Sequence, residues 1–131
     1  MVARIEIGRV GFRGAKAVHS SDPGAIEVKC TELTDPAHKK RAHKKRREDG
    51  TTFSLAEIKA LLLEHQHKKT QQLVQKVIDG VLEGKVVCVK CMMGRNRSQA
   101  VASIACDELA RSYPGVEYEG PVYLGPIRET K

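Results

Sequence analysis

A chain of 131 residues, 40% hydrophobic and 30% charged, is long enough for one domain with its own core and too polar to be a membrane-embedded protein. No apolar run reaches the length of a membrane helix, and Met1–Arg13 carries charges throughout and lacks the apolar centre of a signal peptide, so a cytoplasmic location with no membrane partner is expected. The net charge of +7 is local: His38–Arg47 reads HKKRAHKKRR, and its seven Lys and Arg (Lys39, Lys40, Arg41, Lys44, Lys45, Arg46, Arg47) leave 16 basic residues against 16 acidic ones elsewhere.

Residues 3–7 alternate and read as a strand, followed by a glycine-bearing loop, Gly8–Gly14. Ser20–Gly24 is turn chemistry, and Ala25–Cys30 alternates again, placing Ile26, Val28 and Cys30 on one face of a second strand. From about 34 to 53 the sequence reads as a long exposed basic loop that has room for a helical turn. As a polyanion contact it suits RNA or another polyanion; with two Phe, three Tyr and no Trp, phosphate contacts rather than stacking would dominate.

Ser54 and Glu57 have capping-box spacing, and Leu55, Ile58, Leu61 and Leu62 mark an apolar helical face. The polar stretch Glu64–Gln72 interrupts that face before Leu73, Val74, Val77, Ile78 and Val81 resume it, which fits one long helix with a wet middle or two helices joined there. His65 and His67, two apart on a helix, face different directions and read as solvated. Gly84-Lys85 ends the helix, Val86–Lys90 is a buried strand, and Ala100, Val101, Ile104, Ala105 and Leu109 give the apolar face of the next helix. Val116–Tyr123 reads as an edge strand. Strands alternating with helices imply a three-layer α/β domain covering 1–131, with a short, mostly parallel sheet flanked by helices.

The segment Cys91-Met92-Met93-Gly94-Arg95-Asn96-Arg97-Ser98 joins that buried strand to a helix start. Loop amides and the first turn of a helix make an anion cradle, into which a thiol enters from the strand side and an arginine from the helix side. The four cysteines are too scattered for a disulfide framework, and Cys88–Cys91, formally CxxC, lacks the second pair a zinc site needs. Cys30, Cys88 and Cys106 read as core residues, although Cys88 is also near enough in sequence to resolve an oxidised Cys91. No metal and no cofactor are expected.

With its flanking strand and helix, Cys91-x5-Arg97-Ser98 resembles the phosphate loop of cysteine-dependent protein tyrosine and dual-specificity phosphatases, over about residues 70–112. The resemblance implies phosphomonoester hydrolysis through a phosphocysteine. Cys91 would be the nucleophile; the amides of Met92, Met93, Gly94, Arg95, Asn96 and Arg97, with the Arg97 guanidinium, would hold the phosphoryl oxygens, and Ser98 would assist departure of the sulfur. Arg95 would line the rim. Lys90 stands where that family usually has His, and Lys59 and Ala60 stand where it has its acidic Asp; Asp49, with Asp35 as the alternative and Glu57 nearby, is the candidate proton donor. In whole-chain layout the sequence is also similar to the C-terminal domain of the RNase adapter protein RapZ, through Gly8–Gly14, Ile26–Cys30, Leu33-Thr34-Asp35-Pro36, Leu55–Leu82 and Cys91–Ser98. That similarity implies non-catalytic binding of RNA or a phosphorylated metabolite.

Overall fold

A computed structural model describes residues 2–131, with the side chain of Lys39 outside the described set. Eight elements run β1 (Ala3–Arg9), β2 (Ile26–Lys29), α1 (Lys39–Asp49), α2 (Leu55–His65), α3 (His67–Leu82), β3 (Val86–Cys91), α4 (Arg97–Ser112) and β4 (Tyr118–Tyr123). The sheet is entirely parallel, in the order β2-β3-β1-β4. This is the α/β class that the alternating pattern implies.

The strand order dictates which face each connection covers. The steps β2 to β3 and β3 to β4 run in one direction across the sheet, so right-handed crossovers put α2, α3 and α4 on the same face. The step β1 to β2 runs the other way, and its connection crosses the opposite face. That connection carries no helix: segment 10–25 is extended and pinned by Arg9 and Val18, which exchange bonds of 3.1 and 2.9 Å. The layers are therefore helices, sheet and an irregular strap.

Side-chain alternation sorts the core accordingly. Ile5, Ile7, Val28, Val87, Val89 and Cys91 join Leu62, Leu73, Val77, Val81, Val101 and Ala105 in one buried cluster under the helices. At about 25 cal/mol per Å² of apolar surface, burying such Leu, Ile and Val side chains contributes about 1.5–3 kcal/mol each. Central β3 is buried at every position, as its continuous apolar run requires. β4 lies at the edge, where the missing N–H of Pro121 is tolerated.

One sequence expectation changes, and of two open alternatives one is found. The basic loop expected over 34–53 contains an eleven-residue helix, α1. Lys and Arg are good helix formers, Lys44–Glu48 and Lys45–Asp49 are i,i+4 pairs, and left-handed Gly50 closes the end with its N–H on Arg46 O at 2.9 Å. The polar stretch after Leu62 is resolved as two helices broken at Gln66. The Ser54–Glu57 capping box is formed, with both reciprocal bonds at 3.1 Å.

Candidate anion site

All strands run in one direction, so their carboxyl ends share one edge of the sheet, the usual position for ligand sites in parallel α/β folds. Cys91 closes β3 there, and Arg97 opens α4. Between them lies a cavity of about 120 Å³, lined by Asp35, Cys91, Met92, Met93, Arg95, Asn96 and Arg97. The thiol is nearly buried and its Sγ lies 3.3 Å from the buried Ser98 Oγ.

The loop's carbonyls are drawn outward. Cys91 O accepts from Val10 N (2.9 Å), Met92 O from Gly11 N (3.1 Å), Gly94 O from Gln99 Nε2 (2.9 Å) and Arg95 O from Thr130 Oγ1 (3.1 Å). Among the described residues, no acceptor in the protein takes the amides of residues 92–96. Four carbonyls of the loop thus have partners elsewhere in the chain while those amides have none, which leaves N–H groups available to an oxyanion. Gly94 holds φ +70°, and a Cβ there would stand 2.7 Å from Gly8 O, so no other residue fits without strain. The Gln99 amide, also nearly buried, ties the loop to the C-terminal segment by donating to Arg128 O (2.7 Å) and accepting from Thr130 N (2.7 Å).

Arg97 lines the cavity, and its Nη1 donates to Leu33 O at 2.8 Å and Thr31 O at 3.4 Å. This fixes the guanidinium against the segment that follows β2. Two residues further on, Asp35 reaches the cavity: its Oδ1 accepts from Ala37 N at 2.9 Å, and both carboxylate oxygens lie 3.2–3.4 Å from Asn96 Nδ2. The carboxylate that reaches the sulfur's cavity is thus Asp35. Asp49, ranked first from sequence, sits at the far end of α1, paired with Lys45 at 3.0 Å, and does not line this cavity. Glu57 is also away from it, occupied by the capping box and by Lys45.

Lys90 and Cys88 point to the opposite face of the sheet from Cys91. Buried Lys90 has its Nζ 2.6 Å from His19 Nδ1 and forms an ion pair with Glu27, whose carboxyl it holds below the usual carboxylate range. It is a structural charge under the strap, remote from the thiol. Cys88 lies against Gly8 on that same face and is out of position to resolve Cys91. The cysteine beside Cys91 is Cys30, which continues the β2–β3 ladder with its N–H on Lys90 O at 2.7 Å. Burial first, then the neighbouring Cys91, pushes the Cys30 thiol up, so it stays protonated.

The basic segment separates into distinct environments. Lys45 turns inward to Asp49 and Glu57 and stacks its ammonium 5.3 Å from the centre of the Phe53 ring. Lys44 pairs with Glu48, while Lys40, Arg41, Arg46 and Arg47 are exposed. The Lys39 side chain falls outside the described residues. A second cavity, of about 450 Å³, adjoins the first through Arg95 and Asn96 and is walled by Ala42, Phe53 and Arg128. Its contributors from the C-terminal segment are not legible in sequence, because the Gln99 amide and the Thr130 hydroxyl tie them to the loop across about thirty residues.

Among the described residues, no helix is long and apolar enough to cross a membrane. No family model, no curated protein and no solved structure matches the chain.

Proposed function

We propose that the chain is a cysteine-dependent phosphomonoester hydrolase. The observation that carries this reading is the shared cavity: a thiol, an arginine and a carboxylate line the same small space, beside loop amides that no protein acceptor takes among the described residues. Cys91 Sγ, as thiolate, attacks phosphorus; the S–P bond forms as the ester P–O bond breaks, and Asp35 gives its proton to the leaving oxygen. Loop amides and Arg97 carry the charge on the equatorial oxygens. In the second step Asp35 takes a proton from water, the water oxygen bonds to phosphorus, and the sulfur leaves with the Ser98 hydroxyl donating to it.

Hydrolysis of an aryl phosphate tests the proposal. Turnover is expected in the parent and lost in Cys91→Ser and Arg97→Ala, with a phosphoryl adduct on Cys91 detected by mass spectrometry after acid quench. Absence of turnover on aryl, sugar and nucleotide phosphates from mildly acidic to mildly basic pH would sink it.

One observation favours a second reading, non-catalytic binding of RNA or a phosphorylated metabolite. Asp35 is engaged by the Ala37 amide and by Asn96, an arrangement that also suits a carboxylate whose role is to close a turn. Under this reading inorganic phosphate binds the loop in the parent without any phosphoester turning over.

A further inference from the structure

The break between α2 and α3 builds a groove that the linear charge pattern does not reveal. It encloses about 520 Å³ and is lined by Thr34, Arg41, His65, Gln66, His67, Lys68 and Lys69. Arg41 comes from α1, Thr34 from the segment after β2 and the others from the helix junction, so two separate basic stretches converge. Among the described residues no carboxylate lines the groove, and of its lining residues His65 lies 3.9 Å from Glu64. Arg41, Lys68 and Lys69 are exposed and form no ion pair among the described residues, unlike Lys44 and Lys45.

The arrangement is electrostatically costly for the protein alone. Lys68 and Lys69 lie in the first turn of α3, which contains no acid and no side-chain cap, although a helix start favours negative charge. Such mutual repulsion is relieved by a polyanion. Thr34 lines the groove and the next residue, Asp35, lines the Cys91 cavity, so one short segment of chain borders both. A ligand occupying both places must present anionic groups in succession and end in a phosphoryl group that fits the smaller cavity. Its backbone must satisfy ammonium and guanidinium donors, while the flat imidazoles of His65 and His67 offer faces for bases.

We propose that this groove is a binding site for the phosphodiester backbone of single-stranded nucleic acid, whose terminal phosphate enters the Cys91 loop. The groove stands on its own residues; the terminal-phosphate part rests on the phosphate-loop reading above.

The test is fluorescence anisotropy of a labelled oligouridine, with and without a 5′-phosphate, titrated over a range of salt concentrations. The protein is the full chain, as the parent, as Arg41→Ala/Lys68→Ala/Lys69→Ala, and as Arg97→Ala, each checked for an unchanged thermal transition. The triple variant is expected to bind both oligonucleotides about tenfold or more weakly at low salt, and its log–log salt slope to be shallower by about two. Arg97→Ala is expected to weaken only the phosphorylated strand. Triple-variant binding equal to the parent's overturns the groove. So does displacement of oligouridine by oligoglutamate at matched charge, which would mean that the groove selects an acidic peptide equally well. If the triple variant loses affinity while Arg97→Ala binds both strands like the parent, the groove stands and the terminal-phosphate link falls.

Discussion

The side-chain amide of Gln66 and the main chain of Thr34 exchange two hydrogen bonds, 2.8 Å from Thr34 N to Oε1 and 2.7 Å from Nε2 to Thr34 O. The pair spans the helix junction and holds the residue next to Asp35, so a polar break in an apolar stripe becomes a clamp on the site. Gln66→Ala is expected to cost about 1–2 kcal/mol of stability, read by urea denaturation. It should also lower kcat/KM on an aryl phosphate about tenfold through misplacement of Asp35. Unchanged turnover in a destabilised variant would detach the clamp from the chemistry.

Asp35→Asn separates the two roles open to this carboxylate. The amide keeps an oxygen for the Ala37 N–H, so the turn and the fold are expected to persist. Without a transferable proton, turnover of an alkyl phosphate should fall by about 10²-fold or more, and that of a nitrophenyl phosphate, whose leaving group needs little protonation, much less. Equal losses on the two substrates would mean that Asp35 is not the proton donor.

Gly94→Ala forces a Cβ against Gly8 O at a positive φ, and the expected cost is about 1–3 kcal/mol in thermal or urea unfolding. Because the strain falls within the cradle, inorganic phosphate is expected to raise the thermal midpoint of the parent and not that of the variant. A variant still protected by phosphate would place the anion elsewhere.

The charge on Glu57 links stability to pH. The Ser54 backbone bond first, then Lys45, holds its carboxyl below the usual range. A lowered folded-state pKa contributes stability that is present above the unfolded carboxylate pKa and is lost as pH falls through the folded one. Glu57→Gln retains an acceptor for Ser54 but no charge. Its urea midpoint should lie slightly below the parent's at neutral pH, and the two should converge at about pH 3 or below.

What was legible in sequence depended on how local each signal was. Strand alternation, the Ser54–Glu57 cap and the Cys91–Ser98 loop are short-range patterns, and each appears where its residues indicate. The choice of Asp35 over Asp49 was not legible, because it depends on Arg97 and Gln66 fixing segment 31–35 by bonds across more than thirty residues. The basic run has helix-forming residues but no apolar face, so its sequence pattern does not distinguish α1 from an exposed loop. The groove is hidden in sequence for a related reason: Lys68 and Lys69 balance against acids in a charge count, and only the fold gathers them with Arg41, His65 and His67.

The outward anchoring of the loop carbonyls has a thermodynamic consequence. Val10 and Gly11 in the strap, Gln99 in α4 and Thr130 near the C-terminal end each hold one carbonyl, so three stretches of chain set the loop's shape when the protein folds. Under the proposed function, an oxyanion would bind with little entropic cost for ordering the loop. The cradle is preorganised, and whatever loosens the strap or the C-terminal segment weakens anion binding from outside the site.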